Sequence, residues 1–402
     1  LGDVYKRQLY NLKTLGFNTV ETYIPWALHE PQEGQFQAEG MLDFEAYFKL
    51  VEEMGLYLIV RPTPYICAEF DFGGLPAWLL RYPSMRLRVN HPLFLEKVSH
   101  FYDWLFPKLL PYQSDQGGPI LMMQVENEYG SYAEDKAYMR SIAQMMKVRG
   151  VTVPLFTSDG TWIEALESGT LIEDDIFVTG NFGSQPKENT DNLRAFMERY
   201  GKEWPLMCTE FWDGWFSRWS EEIVRREAED LAQDVKEMLQ LGSMNLFLLR
   251  GGTNFGFISG CSARKTKDLP QITSYDFDAP ITEWGQPTEK YYAVQRVTHE
   301  VFPEFEQMEP ISRQAKAYGS FPLLGTANLL DVAADITEEI LLDYPQPMEQ
   351  IGQNHGYILY RSDIKNQYHE ERLKVLETHD RCHFYINQEH LATQYRDCLL
   401  YT

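Results

Sequence analysis

The chain has 402 residues, of which 44% are hydrophobic and 24% are charged, and it carries a formal net charge of −23. This length is too great for one small core and indicates either two domains or one barrel plus an accessory domain. A surface this acidic repels phosphate backbones and anionic headgroups, which argues against nucleic acid and membranes as partners and favours a neutral ligand such as a sugar.

Short apolar runs alternate with helical patterns from residue 9 to about residue 300. Nearly continuous apolar runs are typical of buried parallel strands. Strands are predicted at Asn18–Tyr23, Leu56–Arg61, Ile120–Glu126, Pro154–Ser158, Ile176–Thr179, Pro205–Thr209 and Met244–Leu249.

Apolar residues at helical spacing separate these runs. Helices are predicted at Leu9–Leu15 and at Phe44–Met54. A further helical pattern covers Val224–Met238, for which Ser220 is a candidate N-cap. Glycines after the second and third patterns favour helix ends there.

Strands that alternate with helices predict either a (β/α)8 TIM barrel or an open doubly wound sheet. A barrel needs one strand more than the seven predicted, and that strand would lie before Leu9. We therefore expect an internal fragment whose first barrel strand is missing. The two strands beside the gap would have unpaired edges, which predicts low stability.

The pattern changes after about residue 318, where strand-like runs have no long helical patterns between them. These runs are Ile340–Asp343, Tyr357–Arg361, Leu373–Leu376 and Cys382–Ile386. We predict a catalytic barrel at residues 1–310 and a truncated, all-β accessory domain of sandwich or jelly-roll type at residues 311–402.

Five cysteines at long spacings predict no disulfide framework, and their odd number favours a reducing compartment. No run of about 18 apolar residues predicts a membrane span, and no signal peptide is visible, so a cytoplasmic location is favoured. The nine histidines are scattered, and His29-Glu30 has no second histidine at the helical interval. We expect no metal and no cofactor.

The segment Gly117–Gly130, GGPILMMQVENEYG, runs from a strand directly into Glu126, Asn127 and Glu128. Alternation along a strand predicts that the two glutamates leave on one face and the asparagine on the other, unless the strand is already turning there. The C-terminal strand ends form the active face of a barrel, so a carboxylate here can act as an acid or a base. The alternative is a solvated loop glutamate.

The segment Trp204–Trp219, WPLMCTEFWDGWFSRW, also takes an apolar strand into a carboxylate, Glu210. Aromatic residues follow it closely, as at a ligand site; the alternative is a glutamate at a helix start with packed neighbours. A third segment, Arg61–Trp78, follows another strand and offers Glu69 to bond sugar hydroxyls, whereas Cys67 fits a small buried filler.

Two carboxylates on one barrel face are the minimal equipment for cleaving a glycosidic bond. One protonates the leaving oxygen, while the other attacks the anomeric carbon or activates water. Proximity keeps one of them protonated because each negative charge raises the pKa of the other. Other barrel chemistries fit less well, since no predicted strand ends in a Schiff-base lysine and GGTNFG is a poor phosphate loop.

Several segments resemble glycoside hydrolase family 35, the acid β-galactosidases of animals and their bacterial relatives. They are NTVETYIPWALHEPQEGQF, RPTPYICAEFDFGGLPAWLL, GGPILMMQVENEYG, TEFWDGWFSRW, RGGTNFGF and TSYDFDAP. GYILYRSDI also resembles the domain that follows the barrel in this family. The resemblance implies a TIM barrel with the acid/base after strand four and the nucleophile after strand seven, which agrees with the strand count if the first strand is missing.

The resemblance implies that Glu128 is the acid/base and Glu210 the nucleophile of a retaining enzyme. It also implies a galactose subsite lined by Tyr23, Cys67, Ala68, Glu69 and Asn127. The implied function is removal of terminal non-reducing β-D-galactose from glycans or oligosaccharides by double displacement. The expected partner is a β-galactoside substrate, and the sequence is compatible with a homo-oligomer.

Two departures from the family concern the sugar site. Phe247 and Phe277 stand where the family usually has tyrosine. Their missing hydroxyls keep two alternatives open: a catalytically impaired sugar-binding barrel, or the same hydrolase with a shifted glycone. Trp212 and Trp215 follow the nucleophile and are predicted to stack on the leaving-group sugar, with Trp78 as a further candidate.

Overall fold

The computed structural model describes residues 2–263, 268–365, 375 and 380–394. The helices are α1 Gly2–Thr14, α2 Trp26–His29, α3 Phe44–Glu53, α4 Pro92–Leu109, α5 Lys136–Val148, α6 Ile163–Gly169, α7 Pro186–Arg199, α8 Ala228–Leu241, α9 Glu289–Val301 and α10 Leu329–Ile336. The strands are β1 Thr19–Tyr23, β2 Tyr57–Arg61, β3 Ile120–Asn127, β4 Leu155–Gly160, β5 Phe177–Phe182, β6 Met207–Trp212, β7 Ser243–Phe247, β8 Gly252–Thr253, β9 Cys261–Ala263, β10 Asp268–Pro270, β11 Ser274–Tyr275, β12 Cys382–Ile386 and β13 Glu389–Gln394.

Strands β1 to β7 form one parallel sheet in which the strands are hydrogen-bonded in sequence order. A doubly wound sheet reverses its strand order at a switch point, whereas sequential order with a helix after each strand is the order of a barrel. The fold is therefore a nearly closed, TIM-like barrel, with β1 and β7 at the two edges of the sheet. The predicted strands are confirmed, with ends that differ by a few residues.

Two apolar clusters join the sheet to its helices. The larger lies between the first four strands and the surrounding helices, where Phe48 of α3, Phe101 of α4 and Tyr138 of α5 are completely buried. The other joins α8 and α9 to β6 and β7 through residues such as Val235 and Tyr291. Each buried side chain of this size stabilises the fold by roughly 1.5–3 kcal/mol.

Trp78 belongs to the larger cluster and not to a sugar site. Its side chain is 1% exposed, its ring lies edge-on to Trp26 with centroids 5.8 Å apart, and Nε1 donates to the Glu30 carbonyl oxygen at 2.9 Å. The prediction that Trp78 stacks on a leaving group is therefore wrong, because packing covers the ring.

Helix α8 begins later than predicted. Its N-cap is Glu227, residues 221–227 are irregular, and Ser220 has a φ of +61°. Arg226 accounts for the difference, since its Nη1 donates to the Trp212 carbonyl oxygen at 3.2 Å. This tertiary contact holds the preceding segment against the end of β6, where it cannot join the helix.

The region after α9 contains fewer strands than predicted. Ile340–Asp343 and Tyr357–Arg361 form no strand and have no strand partner among the described residues. Cys382–Ile386 is confirmed as β12, which pairs with the unpredicted β13. The predicted strand Leu373–Leu376 lies outside the described residues except for Val375.

Residues 348–357 pack against the loop that follows β2. Arg81 Nε donates to the Glu349 carbonyl oxygen at 2.8 Å, and His355 Nδ1 lies 3.3 Å from a carboxylate oxygen of Asp71. This part of the accessory region is therefore in direct contact with the barrel.

Candidate active site

The strand ends bring the two candidate catalytic glutamates to one end of the barrel. Glu128 follows the last residue of β3, and Glu210 lies within β6. Asn181 of β5 connects them, because it is the Cα partner of Glu210 and its Nδ2 donates to Glu128 Oε1 at 3.0 Å. One neutral side chain therefore bonds to Glu128 from the strand that pairs with the strand of Glu210.

Both oxygens of Glu210 accept hydrogen bonds, and the residue is only 6% exposed. Oε1 accepts from Arg61 Nη1 and, at 3.2 Å, from the Tyr23 hydroxyl. Oε2 accepts from Trp212 Nε1 at 3.2 Å. A guanidinium in contact with a carboxylate stabilises its negative charge, so this arrangement suits an ionised Glu210.

Arg61 is completely buried between two carboxylates. Its Nε lies 2.6 Å from Glu21 Oε1, while Nη1 faces Glu210 and the Tyr23 hydroxyl. Burial raises the pKa of Glu21 to about 7; Arg61 opposes the rise and the charge of Glu210 adds to it. A proton on Glu21 would leave Glu210 as the one ionised partner of the arginine.

Glu128 lies in a different electrostatic setting. Burial and, to a smaller extent, the negative charge of Glu210 raise the pKa of Glu128 to about 7, although the hydrogen bond from Asn181 opposes the rise. Backbone angles of φ +44° and ψ +42° place Glu128 in the left-handed region, which turns its side chain away from the line of β3. A carboxyl group with this pKa can give and take a proton near neutral pH.

Glu126 is bonded to buried side chains on the helix side of the sheet and does not face the same way as Glu128. Its two oxygens bind Arg88 Nε and Nη2 at 3.0 and 3.1 Å, and Oε1 also accepts from the Tyr138 hydroxyl at 3.0 Å. The prediction that the two glutamates leave on one face is therefore wrong, because the left-handed turn at Glu128 breaks the alternation of the strand.

Buried hydroxyl groups determine the orientation of the Asn181 amide. Its Oδ1 accepts from Ser158 Oγ at 2.5 Å and from Thr209 Oγ1 at 3.2 Å, and these two hydroxyls lie 2.6 Å apart. Because hydroxyl groups can donate to Oδ1, Nδ2 is left to face Glu128. The residues that hold Asn181 come from β4 and β6, so the orientation depends on the assembled sheet.

The loop after β2 places Cys67, Ala68 and Glu69 at φ angles of +60°, +52° and +48°. The Tyr275 hydroxyl donates to Glu69 Oε2, and Gly260 N donates to the Glu69 carbonyl oxygen at 2.7 Å. Burial raises the pKa of Glu69 to about 7 and that of the Cys67 thiol to about 12. Cys67 as a whole residue is only partly buried, so it is not a fully buried filler.

An aromatic wall, defined here as Trp215, Phe216, Phe247, Tyr275 and Phe277, lies beside Tyr23 and Trp212. The rings of Phe247 and Phe277 meet edge-to-face with centroids 5.3 Å apart, and Phe277 lies 6.3 Å from Trp215. Trp212 and Trp215 also meet edge-to-face at 5.5 Å and are only partly buried. The wall is apolar at both positions that lack the family tyrosine.

Asn127 lies next to Glu128 and is 3% exposed. Its backbone N–H donates to Glu126 Oε2 at 2.6 Å, and its Oδ1 accepts from Gln124 Nε2 at 3.3 Å. The predicted site residues thus occupy adjoining strands and loops, with Trp78 as the exception.

Comparison with known proteins shows the family of this chain. Residues 2–301 match the family model "Glycosyl hydrolases family 35", and residues 345–400 match "Beta-galactosidase, first all-beta domain". The chain belongs to glycosyl hydrolase family 35. The second match identifies a small all-β domain after the barrel.

Relatives in this family come from plants, animals and bacteria. Beta-galactosidase 17 of Arabidopsis thaliana is 36% identical over 96% of this chain and 57% of its own length. Beta-galactosidase of Xanthomonas manihotis is 39% identical over 90% of this chain and 59% of its own, and Beta-galactosidase-1-like protein 3 of Homo sapiens is 36% identical over 90% and 55%. The family 35 chain therefore spans somewhat more than half the length of these relatives.

Solved structures share the fold of this family 35 chain at low sequence identity. The β-galactosidase of Marinomonas ef1 has a TM-score of 0.54 at 12% identity, over 75% of this chain and 58% of its own. The GH5_18 protein of Streptomyces cattleya in complex with GlcNAc has a TM-score of 0.53 at 16% identity, over 77% of each chain. Both likenesses concern the barrel fold.

Sequence analysis of the family 35 chain missed Arg61, Asn181 and Tyr275 as members of the site. Each ends or follows a strand: Arg61 is the last residue of β2, Asn181 lies near the end of β5, and Tyr275 ends β11. Arg61 could have been found from the sequence, because it is a charged residue at the end of the otherwise apolar run LYLIVR. Nothing local distinguishes Asn181.

Among the described residues, no group of three or more His, Cys, Asp or Glu side chains is arranged to hold a metal ion. Within the same ranges, no helix is both long enough and apolar enough to cross a membrane.

Proposed function

We propose that this family 35 chain is the catalytic part of a retaining exo-β-galactosidase that releases terminal non-reducing β-D-galactose. The observation that carries the proposal is the contrast between two carboxylates at one end of the barrel. Glu210 bonds to the Arg61 cation, whereas Glu128 bonds to a neutral amide and has a pKa raised to about 7. One acid is thus suited to attack and the other to donate a proton.

In the first step, Glu210 attacks the anomeric carbon and forms an ester with the sugar. Glu128 gives its proton to the glycosidic oxygen, and the aglycone leaves as an alcohol. Ester formation removes the negative charge of Glu210, which had helped to raise the pKa of Glu128. The pKa of Glu128 then falls, so Glu128 becomes the base in the second step: it takes a proton from water while the water oxygen bonds to the anomeric carbon, the ester bond breaks, and the Glu210 carboxylate and galactose are released.

The glycone subsite is proposed to be lined by Tyr23, Cys67, Ala68, Glu69 and Asn127, with Phe247 and Phe277 on the aromatic wall. Glu69 is held by the Tyr275 hydroxyl through one oxygen, which leaves the other to accept from a sugar hydroxyl. The uncharged thiol of Cys67 suits a neutral ligand.

The leaving group is proposed to stack on Trp212 and Trp215. Trp215→Ala should raise KM for a galactosyl disaccharide more than KM for a small aryl β-galactoside, because only the disaccharide presents a second sugar to the ring. Equal changes in KM for both substrates would instead indicate a packing role for Trp215.

A fluorosugar experiment tests the mechanism. Incubation with an activated 2-deoxy-2-fluoro-β-galactoside should add one fluorogalactosyl group to the protein, and peptide mapping should locate it on Glu210. NMR during hydrolysis of an aryl β-galactoside should detect the β-anomer as first product. An α-anomer, or a label on another residue, would contradict the proposal.

A shifted glycone is the second candidate function, and the apolar contact between Phe247 and Phe277 favours it. Galactose loses two hydrogen-bond donors there, and an unpaired sugar hydroxyl against an apolar wall weakens binding. Phe247→Tyr and Phe277→Tyr should lower KM for a β-galactoside relative to the matching 6-deoxy-galactoside or β-glucoside. If the unaltered chain binds galactose but turns over none of these glycosides, it is a sugar-binding barrel.

A further inference from the structure

Lys290, in the first turn of α9, is a buried cation that lies behind the aromatic wall. It is 5% exposed, and its Nζ donates to the carbonyl oxygens of Asp213 at 2.7 Å and Asp278 at 2.8 Å. Nζ also donates to Asp278 Oδ2 at 2.5 Å. The three donors of the ammonium group are thus used on two separate loops.

Each of these loops carries a member of the aromatic wall. Asp213 lies two residues before Trp215, and Asp278 directly follows Phe277. The backbone joins the same loops, because Trp215 N donates to the Phe277 carbonyl oxygen at 3.1 Å. The two loops are therefore linked twice, by this backbone hydrogen bond and by the Lys290 ammonium group.

Asp213 extends this connection to the end of β7. Its backbone N donates to the Phe247 carbonyl oxygen at 3.1 Å, and its Oδ1 accepts from Leu248 N at 3.2 Å. Asp213 is completely buried, so its carboxyl group has no solvent to replace these contacts. Burial raises the pKa of Asp213, and Lys290 opposes that rise.

We propose that Lys290 is a positioning residue that sets the spacing between Trp215, Phe247 and Phe277, and thereby the affinity of the site for sugar. The inference rests on the proposed function, because it assigns the wall to substrate binding. Within the described part of the chain, Lys290 makes no hydrogen bond or ion pair with Glu128 or Glu210, so its effect falls on binding more than on the chemical steps.

Gln295 provides a matched control on the same helix. It is 8% exposed, and its Nε2 donates to the carbonyl oxygens of Thr14 at 2.7 Å and Met308 at 2.8 Å. Gln295→Met and Lys290→Met therefore each remove buried bonds from α9 to two backbone carbonyls, but only the second change reaches the wall. Both should lower Tm.

The two variants should differ in their kinetics. Lys290→Met should raise KM for a galactosyl disaccharide by about tenfold, the size of one to two lost hydrogen bonds, with kcat on an activated aryl galactoside changed less than about threefold. Gln295→Met should leave both constants within about twofold. Asp278→Asn, which weakens the same contact without removing the lysine, should give an intermediate rise in KM.

Fluorosugar labelling of the unaltered chain tests the proposed function separately from the role of Lys290. If Glu210 is labelled and Lys290→Met changes KM no more than Gln295→Met does, the inference about Lys290 is overturned and the proposed function stands. If Lys290→Met does not fold, the same comparison is made with Asp278→Asn. If Glu210 is not labelled, the proposed function fails, and with it the inference.

Discussion

The two sides of the site hold their carboxylates by different means. On the side of β1, β2 and β6, Glu210 is in contact with the buried cation Arg61 and with the donors of Tyr23 and Trp212. On the side of β3 to β5, Glu128 bonds to an amide that hydroxyl groups hold in place. A charged partner stabilises one protonation state, whereas a neutral partner leaves the group free to change its state. The two carboxylates therefore face partners of different charge within one barrel.

The largest effect is expected when the charged side, defined as Glu210 with its partner Arg61, loses its carboxylate. Glu210→Gln should lower kcat for every β-galactoside by at least about a thousandfold, because an amide cannot form the covalent intermediate. Steady-state kinetics on a disaccharide and on aryl galactosides checks this. A residual rate within about tenfold of the unaltered chain would show that the two sides have been assigned the wrong roles.

Loss of the carboxylate on the neutral side should depend on the leaving group. Glu128→Ala should lower kcat/KM by about 10²–10⁴-fold for a disaccharide, which needs a proton, and much less for a dinitrophenyl galactoside, which does not. Azide should partly restore turnover of the activated substrate and yield a β-galactosyl azide. A uniform loss on all substrates without rescue would argue against an acid/base role.

A smaller change can weaken only the charged side. Trp212→Phe keeps an aromatic ring, although a smaller one, and removes the Nε1 donor to Glu210, so kcat should fall by about three- to tenfold, the usual size of one hydrogen bond. Trp215→Phe, which also removes an indole N–H next to the site, serves as the control and should leave kcat closer to normal. Equal losses in both variants would point to ring size and not to the hydrogen bond.

The smallest effect concerns the neutral side and appears as a shift in pH dependence. The hydrogen bond from Asn181 lowers the pKa of Glu128 against the rise caused by burial. Asn181→Ala should therefore raise that pKa, keep Glu128 protonated to higher pH, and move the alkaline limb of kcat/KM upward from about pH 7. Thr179→Val removes a hydroxyl from the same network without a bond to Glu128 and should leave the limb in place.

The fold was predictable because its barrel strands coincide with short local runs of apolar residues. Leu155–Gly160 and its neighbours are buried along their lengths, and buried parallel strands need little alternation. The start of α8 was not predictable, because the contact between Arg226 and the backbone of Trp212 replaces local helical preference. The strand predictions at Ile340–Asp343 and Tyr357–Arg361 were wrong for a similar reason. A strand needs a neighbour with which to pair, and these two segments have none among the described residues.

The candidate catalytic pair was predictable, but its electrostatics were not. Glu128 and Glu210 each follow or end an apolar run, which is a local signal. Arg61 lies 149 residues from Glu210, and their contact exists only when β1, β2 and β6 meet around the barrel. Sequence distance therefore hides the contacts on which the proposed roles of nucleophile and acid/base depend.

The left-handed turn formed by Cys67, Ala68 and Glu69 has a consequence for ligand binding. Left-handed backbone costs roughly 1–2 kcal/mol for each residue with a side chain, so an isolated peptide of this sequence would rarely adopt it. The folded protein holds it through the Gly260 N–H and the Tyr275 hydroxyl. The conformational entropy of this loop is thus lost during folding. A ligand that binds to the loop does not have to order it, so that entropic cost does not reduce the affinity.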